Sequence, residues 1–207
     1  MLWLMSPAVD ARERILAAAE PLVLSQGFAA TTVDAVLDRA GASKGAFFHH
    51  FPSKVDLGRA LVDRYAQRDA ELLESTMAAA ESATDDPAEQ LIRFLASFEE
   101  SADRLTDEQP GCLFVSFIYE SGIADDETNQ IMAASILHWR SRLLDKLEQA
   151  SASRPHLADI DLPSLADQVF TTFEGAFLLA RALDDAACLR RQLTHLRRYF
   201  ELLLRAA

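Results

Sequence analysis

Apolar residues recur along this chain at the three-and-four spacing of amphipathic helices almost everywhere, and period-two alternation never persists. No Asn-Gly or Asp-Gly hairpin turn appears. The first predicted helix runs from Asp10 to Gln26, with Ile15, Leu16, Ala19 and Val23 on one side and Gly27 at its end. Pro21 lies inside it, where a lost hydrogen bond predicts a kink. Thr31 and Asp34 have capping-box spacing, and Val33, Val36, Leu37 and Ala40 follow as a two-turn apolar face. Gly41 suits a left-handed helix end. Ser43 can then cap a short helix from Lys44 to His50, with Phe47 and Phe51 facing one way and Pro52 as its stop. Ser53 and Asp56 repeat the capping spacing and open a long helix over 54–80, carrying Leu57, Leu61, Tyr65, Leu72 and Leu73.

The remainder reads as a helical body. Leu91, Phe94, Leu95 and Phe98 form one face, the break at 109–111 precedes an apolar run from Cys112 to Tyr119, and Asp125 or Asp126 caps the next helix. That helix carries Met132, Ile136, Trp139, Leu143 and Leu147. A polar linker over 151–161 leads to a helix from Pro163 to Leu183, and after Asp184-Asp185 comes a last helix with Leu189, Leu193, Leu196, Phe200 and Leu203. The pattern predicts an all-α fold of about nine helices without internal repeats. Two short helices joined by a Gly-containing turn, at 33–50, have the spacing of a helix-turn-helix and equally that of a plain bundle corner.

Composition narrows the class. The 207 residues are half apolar and a quarter charged, enough for a real core and unlike a disordered chain. Two cysteines, Cys112 and Cys188, exclude a disulfide framework and a four-thiolate zinc site and suit a reducing compartment. They read as inert buried thiols. No apolar run reaches the length of a membrane helix, so no membrane partner and a cytoplasmic location are expected. The first nine residues, from Met1, read as a mobile arm, with Met5 as an alternative start. The net charge is −12, which argues against nucleic acid as a partner. The charge is uneven, however. Through Lys54 five basic residues balance five acidic ones, and beyond it fifteen basic residues face twenty-seven acidic ones.

The segment from Thr31 to Leu57, TTVDAVLDRAGASKGAFFHHFPSKVDL, resembles the DNA-binding signature of the TetR/AcrR family of transcriptional regulators. The likeness is close over 11–61 and reaches the body only in helix number and in details such as Gly111-Cys112-Leu113 followed by Glu120. It implies a helix-turn-helix head at 10–53 and a ligand-binding and dimerisation body at 54–207, connected by the 54–80 helix. It further implies a double-stranded DNA operator, a small-molecule effector and a homodimer through the last two helices, about 163–183 and 187–205. Thr31 and Thr32 would present hydroxyls and a helix start to a phosphate. Ser43, Lys44, Gly45 and Ala46 would enter the major groove, with Phe48, His49 and His50 along the same helix and Lys54 on a phosphate. Helix N-termini suit phosphates, a glycine permits close backbone approach, and a lysine can donate to guanine. Phe48 stands where the family commonly has tyrosine, exchanging a phosphate-bonding hydroxyl for an apolar ring. His50 reads first as a hydrogen-bonded structural residue, with DNA contact as the alternative.

In the body Phe94, Phe98, Phe114, Phe117, Ile118, Tyr119, Met132, Trp139, Phe170, Phe173 and Phe177 are core by default and candidate pocket lining by resemblance, and Glu174, solvated or dimer-paired by default, is a candidate pocket residue among them. Glu99, Glu120 and Glu174 are expected to be solvated, with a cationic ligand as the alternative. No phosphate loop, metal constellation or catalytic grouping is present, so no cofactor, metal or catalytic residue is expected. The leading reading is a ligand-responsive repressor released from DNA by a mainly apolar ligand. The alternative is an all-α small-molecule-binding protein or enzyme that does not bind DNA.

Overall fold

The computed structural model describes residues 10–108, 111–120, 122 and 124–205. The expected N-terminal arm lies outside them. Ten α-helices occur among the described residues, and no strand: α1 Ala11–Gln26, α2 Val33–Ala40, α3 Lys44–His50, α4 Lys54–Ala83, α5 Pro87–Glu100, α6 Ala102–Glu108, α7 Leu113–Ile118, α8 Asp126–Ser151, α9 Leu162–Leu183 and α10 Ala187–Leu204. The all-α expectation holds. The count of about nine missed α6, which has Leu105 as its single large apolar residue and therefore no periodic signal. A short 3-10 turn, Pro155–Leu157, interrupts the expected linker and buries Leu157.

Side-chain caps set most helix starts. The Asp10 carboxylate accepts from Arg12 N, Asp86 from Ala88 N and Asp161 from Ser164 N. Pro21 lies within α1, which continues unbroken to Gln26. Gly41 ends α2 at φ 59°, the left-handed position that costs glycine nothing.

Packing groups the chain into two compact units. The first holds residues 10–65 and 113–131, so α7 and the start of α8 pack with the head, although their place in the sequence assigns them to the body. Its interior contains Ile15, Leu16, Val23, Phe28, Phe47 and Phe117. The Phe28 and Phe117 rings lie 4.6 Å apart between centroids. Arg64 joins α4 to α1, donating to Glu20 at 2.6 Å, and Arg59 pairs with Asp125 and Glu127. Asp125 caps α8 through the Thr128 amide and hydroxyl, and these bonds, with Arg59, pull its carboxyl down to about 2.

The second unit holds 66–112 and 132–205. Leu73, Met77, Phe94, Trp139, Leu143 and Phe200 are in its core. Burying each such side chain contributes about 1.5–3 kcal/mol. Leu165, Val169, Ala176, Leu189, Leu193 and Leu196 also belong to this interior. The outward faces of α9 and α10 expose Leu178, Leu179, Leu183, Tyr199 and Leu202 instead. A groove of about 330 Å³ lined by Gln168, Thr172, Gln192, His195, Leu196 and Tyr199 accompanies them.

Candidate nucleic-acid interface

The head is built on α2 and α3. Thr32 Oγ1 accepts from Ala35 N at 3.1 Å and Ser43 Oγ accepts from Ala46 N at 3.1 Å, so each hydroxyl caps its own helix. Ala42 N donates to Leu37 O at 3.1 Å, which closes the turn after Gly41. Phe47 is fully buried, and its neighbour Phe48 is 55 % exposed with its ring edge-on to Phe47 at 5.2 Å. Ser43, Lys44, Gly45, Phe48 and His49 are exposed along one stretch, with Ala46 half-buried. Lys44 pairs with Asp34 at 3.0 Å, a contact between two exposed side chains that holds them weakly. A Cβ on Gly45 would meet only Ser43 Oγ, at 3.8 Å, so nothing inside the protein requires glycine there. His50 is half-buried, with Nε2 4.0 Å from Asp10 and its ring beside Phe51.

The Thr31 assignment changes. Thr31 does not present its hydroxyl: the residue is buried, Oγ1 donates to Gly27 O at 2.8 Å and accepts from Gln26 at 3.3 Å. Its neighbour Thr32 is the true cap, one residue later than the capping-box spacing placed it. Lys54 is half-buried, and Nζ donates to Ala29 O at 3.0 Å while lying 4.7 Å over the Phe28 ring. Burial lowers its pKa, and the Glu120 charge opposes that shift.

The expected pocket residues are divided. Phe114 and Phe117 are buried in the first unit, where Ile118 and Tyr119 are exposed. Phe94, Phe98, Trp139 and Phe173 form a ring cluster in the second, with Phe98 5.9 Å from Trp139 and 5.2 Å from Phe173. Met132 is buried, and Phe170 and Phe177 are half-buried. Glu99 and Glu120 are not solvated as expected. Glu99 accepts from Arg197 at 2.5 Å and Thr194 at 2.7 Å, which holds its carboxyl low, and Glu120 accepts from two backbone amides. Burial pushes the Glu174 carboxyl up to about 7, against a hydrogen bond donated by Cys112 and with the Asp69 charge adding to the rise.

Asp69 was not among the predicted residues. Its carboxylate accepts from Trp139 Nε1 at 2.6 Å and Ser135 Oγ at 3.2 Å, and burial raises its pKa. Its signal was present: Leu57, Leu61, Tyr65, Asp69, Leu73 and Met77 follow at strict four-residue steps, so an acid occupies a core stripe. Cys112 and Cys188 are buried thiols that form no disulfide. Among the described residues no three His, Cys, Asp or Glu side chains are grouped to hold a metal ion, and no helix is long and apolar enough to cross a membrane.

A capped helix pair with an exposed second helix, on an all-helical frame, defines a helix-turn-helix regulator. Residues 15–61 match the profile of the bacterial regulatory proteins of the tetR family, and 87–196 match that of the tetracyclin repressor-like C-terminal domain. The chain belongs to the TetR family of bacterial regulatory proteins, and it is a transcriptional regulator and not an enzyme. It is similar to the transcriptional regulator AcuR of Cereibacter sphaeroides, 28 % identical over 171 residues that cover 83 % of this chain and 76 % of that one. The transcriptional repressor NemR of Escherichia coli is 41 % identical over 70 residues, 32 % of this chain and 35 % of NemR. The crystal structure of the regulatory protein TetR from Rhodobacter sphaeroides superposes with a TM-score of 0.74 at 26 % identity, covering 92 % of this chain and 96 % of that one. A TetR regulator from Chloroflexus aurantiacus gives 0.71 at 29 % identity, covering 91 % and 93 %.

Proposed function

We propose that this protein binds a pseudo-palindromic operator as a homodimer and is released by a small, mainly apolar ligand held in its C-terminal body. The observation that carries this reading is the exposed α3 stretch, capped by Ser43 and anchored by buried Phe47. In it Ser43, Lys44, Gly45 and Ala46 enter the major groove. Phe48 and His49 face bases, with the Phe48 ring suited to a thymine methyl. The start of α2 at Thr32 and the Lys54 ammonium meet phosphates. His50 orients α3 through Asp10.

One head covers few base pairs, so specificity requires two, about 34–36 Å apart or somewhat more. The exposed leucines of α9 and α10 supply the dimer face, since a patch of that kind needs cover. The aromatic cluster around Phe98 and Trp139, with Phe173 and Glu174, supplies the effector site. The protein acts in the cytoplasm, where its DNA is. Selection of bound duplexes from a random pool tests the reading. Enrichment of a two-fold symmetric site is expected. Recovery of no preferred sequence, or of unpaired half-sites alone, overturns it.

A further inference from the structure

Glu120, which follows α7, clasps the turn between α1 and α2. Its Oε1 accepts from Phe28 N at 2.7 Å and its Oε2 from Ala29 N at 2.6 Å. Successive backbone amides aimed at one anion form a nest, and charge-assisted bonds of this kind are about twice as strong as neutral ones. Gly27 makes room: its φ is 86°, and a Cβ there would overlap Oε1. On the other side of the same turn Lys54 donates to Ala29 O. Beneath it Phe28 stacks on Phe117, and a Cβ on Gly58 would come within 2.7 Å of the Phe28 ring. The turn then continues into buried Thr31 and the Thr32 cap of α2.

We infer that Glu120 is a positioning residue for DNA reading: by holding the Gly27–Ala29 turn it sets the α2 N-terminus and the Lys54 ammonium where phosphates are to be met. The inference rests on the DNA-reading role proposed for α2 and α3. It makes a prediction opposite in sign to simple electrostatics. Removing a carboxylate close to a phosphate-facing lysine strengthens DNA binding if charge alone matters. A positioning role requires the reverse.

The test compares full-length wild type with Glu120→Gln, Glu120→Ala and Gly27→Ala on the duplex selected by the wild type, well below every unfolding midpoint. Ile15→Val, a core change in α1 away from the turn, controls for lost stability. Glutamine keeps one acceptor and alanine none, so affinity should fall in the order Glu, Gln, Ala, by about tenfold at the first step. Hydrogen exchange at the Phe28 and Ala29 amides should quicken in both Glu120 variants and not in Ile15→Val. Gly27→Ala, which displaces the carboxylate from the other side, should mimic them and keeps the test open if a Glu120 variant does not fold. The proposal is overturned if the Glu120 variants bind as tightly as wild type or tighter, or lose no more than Ile15→Val. Failure of the wild type to bind any duplex would overturn the DNA-reading role itself, and this proposal with it.

Discussion

Lys54 Nζ donates to the Ala29 carbonyl oxygen at 3.0 Å, tying the first turn of α4 to the turn that precedes α2. An ammonium has three donors, so one bond inside the protein leaves others for a phosphate. Lys54→Ala should weaken binding to all duplexes and lower the slope of log affinity against log salt by about 1. Anisotropy titrations at several salt concentrations check this. An unchanged slope would remove Lys54 from the contact set.

Thr31 and Thr32 should behave differently although they adjoin. Thr31→Val leaves the Gly27 carbonyl without its partner inside the head and should cost about 1–3 kcal/mol in urea unfolding. Thr32→Ala removes a helix cap and should cost about 1 kcal/mol, with a further loss of operator affinity beyond that of Thr31→Val.

Charge on the outward leucines should dissociate the proposed dimer. Leu178→Glu with Leu202→Glu is expected to give a helical monomer by light scattering and circular dichroism at micromolar concentration. Leu196→Glu with Phe200→Glu strikes the interior and should give unfolded or insoluble protein. A wild type that is monomeric under these conditions would refute the dimer.

The Glu174 carboxyl titrates near 4.5 when unfolded and near 7 when folded. Between those values the folded protein holds the extra proton, so stability falls as pH rises from about 4.5 to 7 and stays lower above it. The contribution is about 3 kcal/mol. Asp69, also raised, pulls in the same direction, with His138 opposing it. Glu174→Gln should leave the melting temperature near wild type at pH 5 and raise it by roughly 10 °C at pH 8. Equal melting temperatures at both pH values would show that Glu174 is hydrated.

The head was legible in the sequence because its signals are local. Ser43 caps within three residues, Gly41 needs a left-handed turn, and Phe47 and Phe51 lie one helical turn apart. The misreadings share a different cause. Glu120 bonds to Phe28 across 92 residues and Glu99 to Arg197 across 98, distances at which sequence spacing carries no information. Both therefore read as solvated. Which face of α9 and α10 is buried was not legible in the sequence, because each helix carries two apolar stripes. Leu196 and Leu202 are equally apolar in the sequence, and only packing shows that the first is buried and the second 77 % exposed.

The first unit is assembled from two stretches of chain, 10–65 and 113–131. During synthesis the first stretch leaves the ribosome well before the second. Until α7 emerges, Phe28 lacks its Phe117 neighbour and the Phe28 and Ala29 amides lack their carboxylate. Closing that loop has an entropic cost that local helix formation does not. The DNA-reading helices thus precede α7 in the chain but cannot be finished before it. A nascent chain stalled before residue 113 would carry the whole helix-turn-helix sequence with its α1–α2 turn still unclasped.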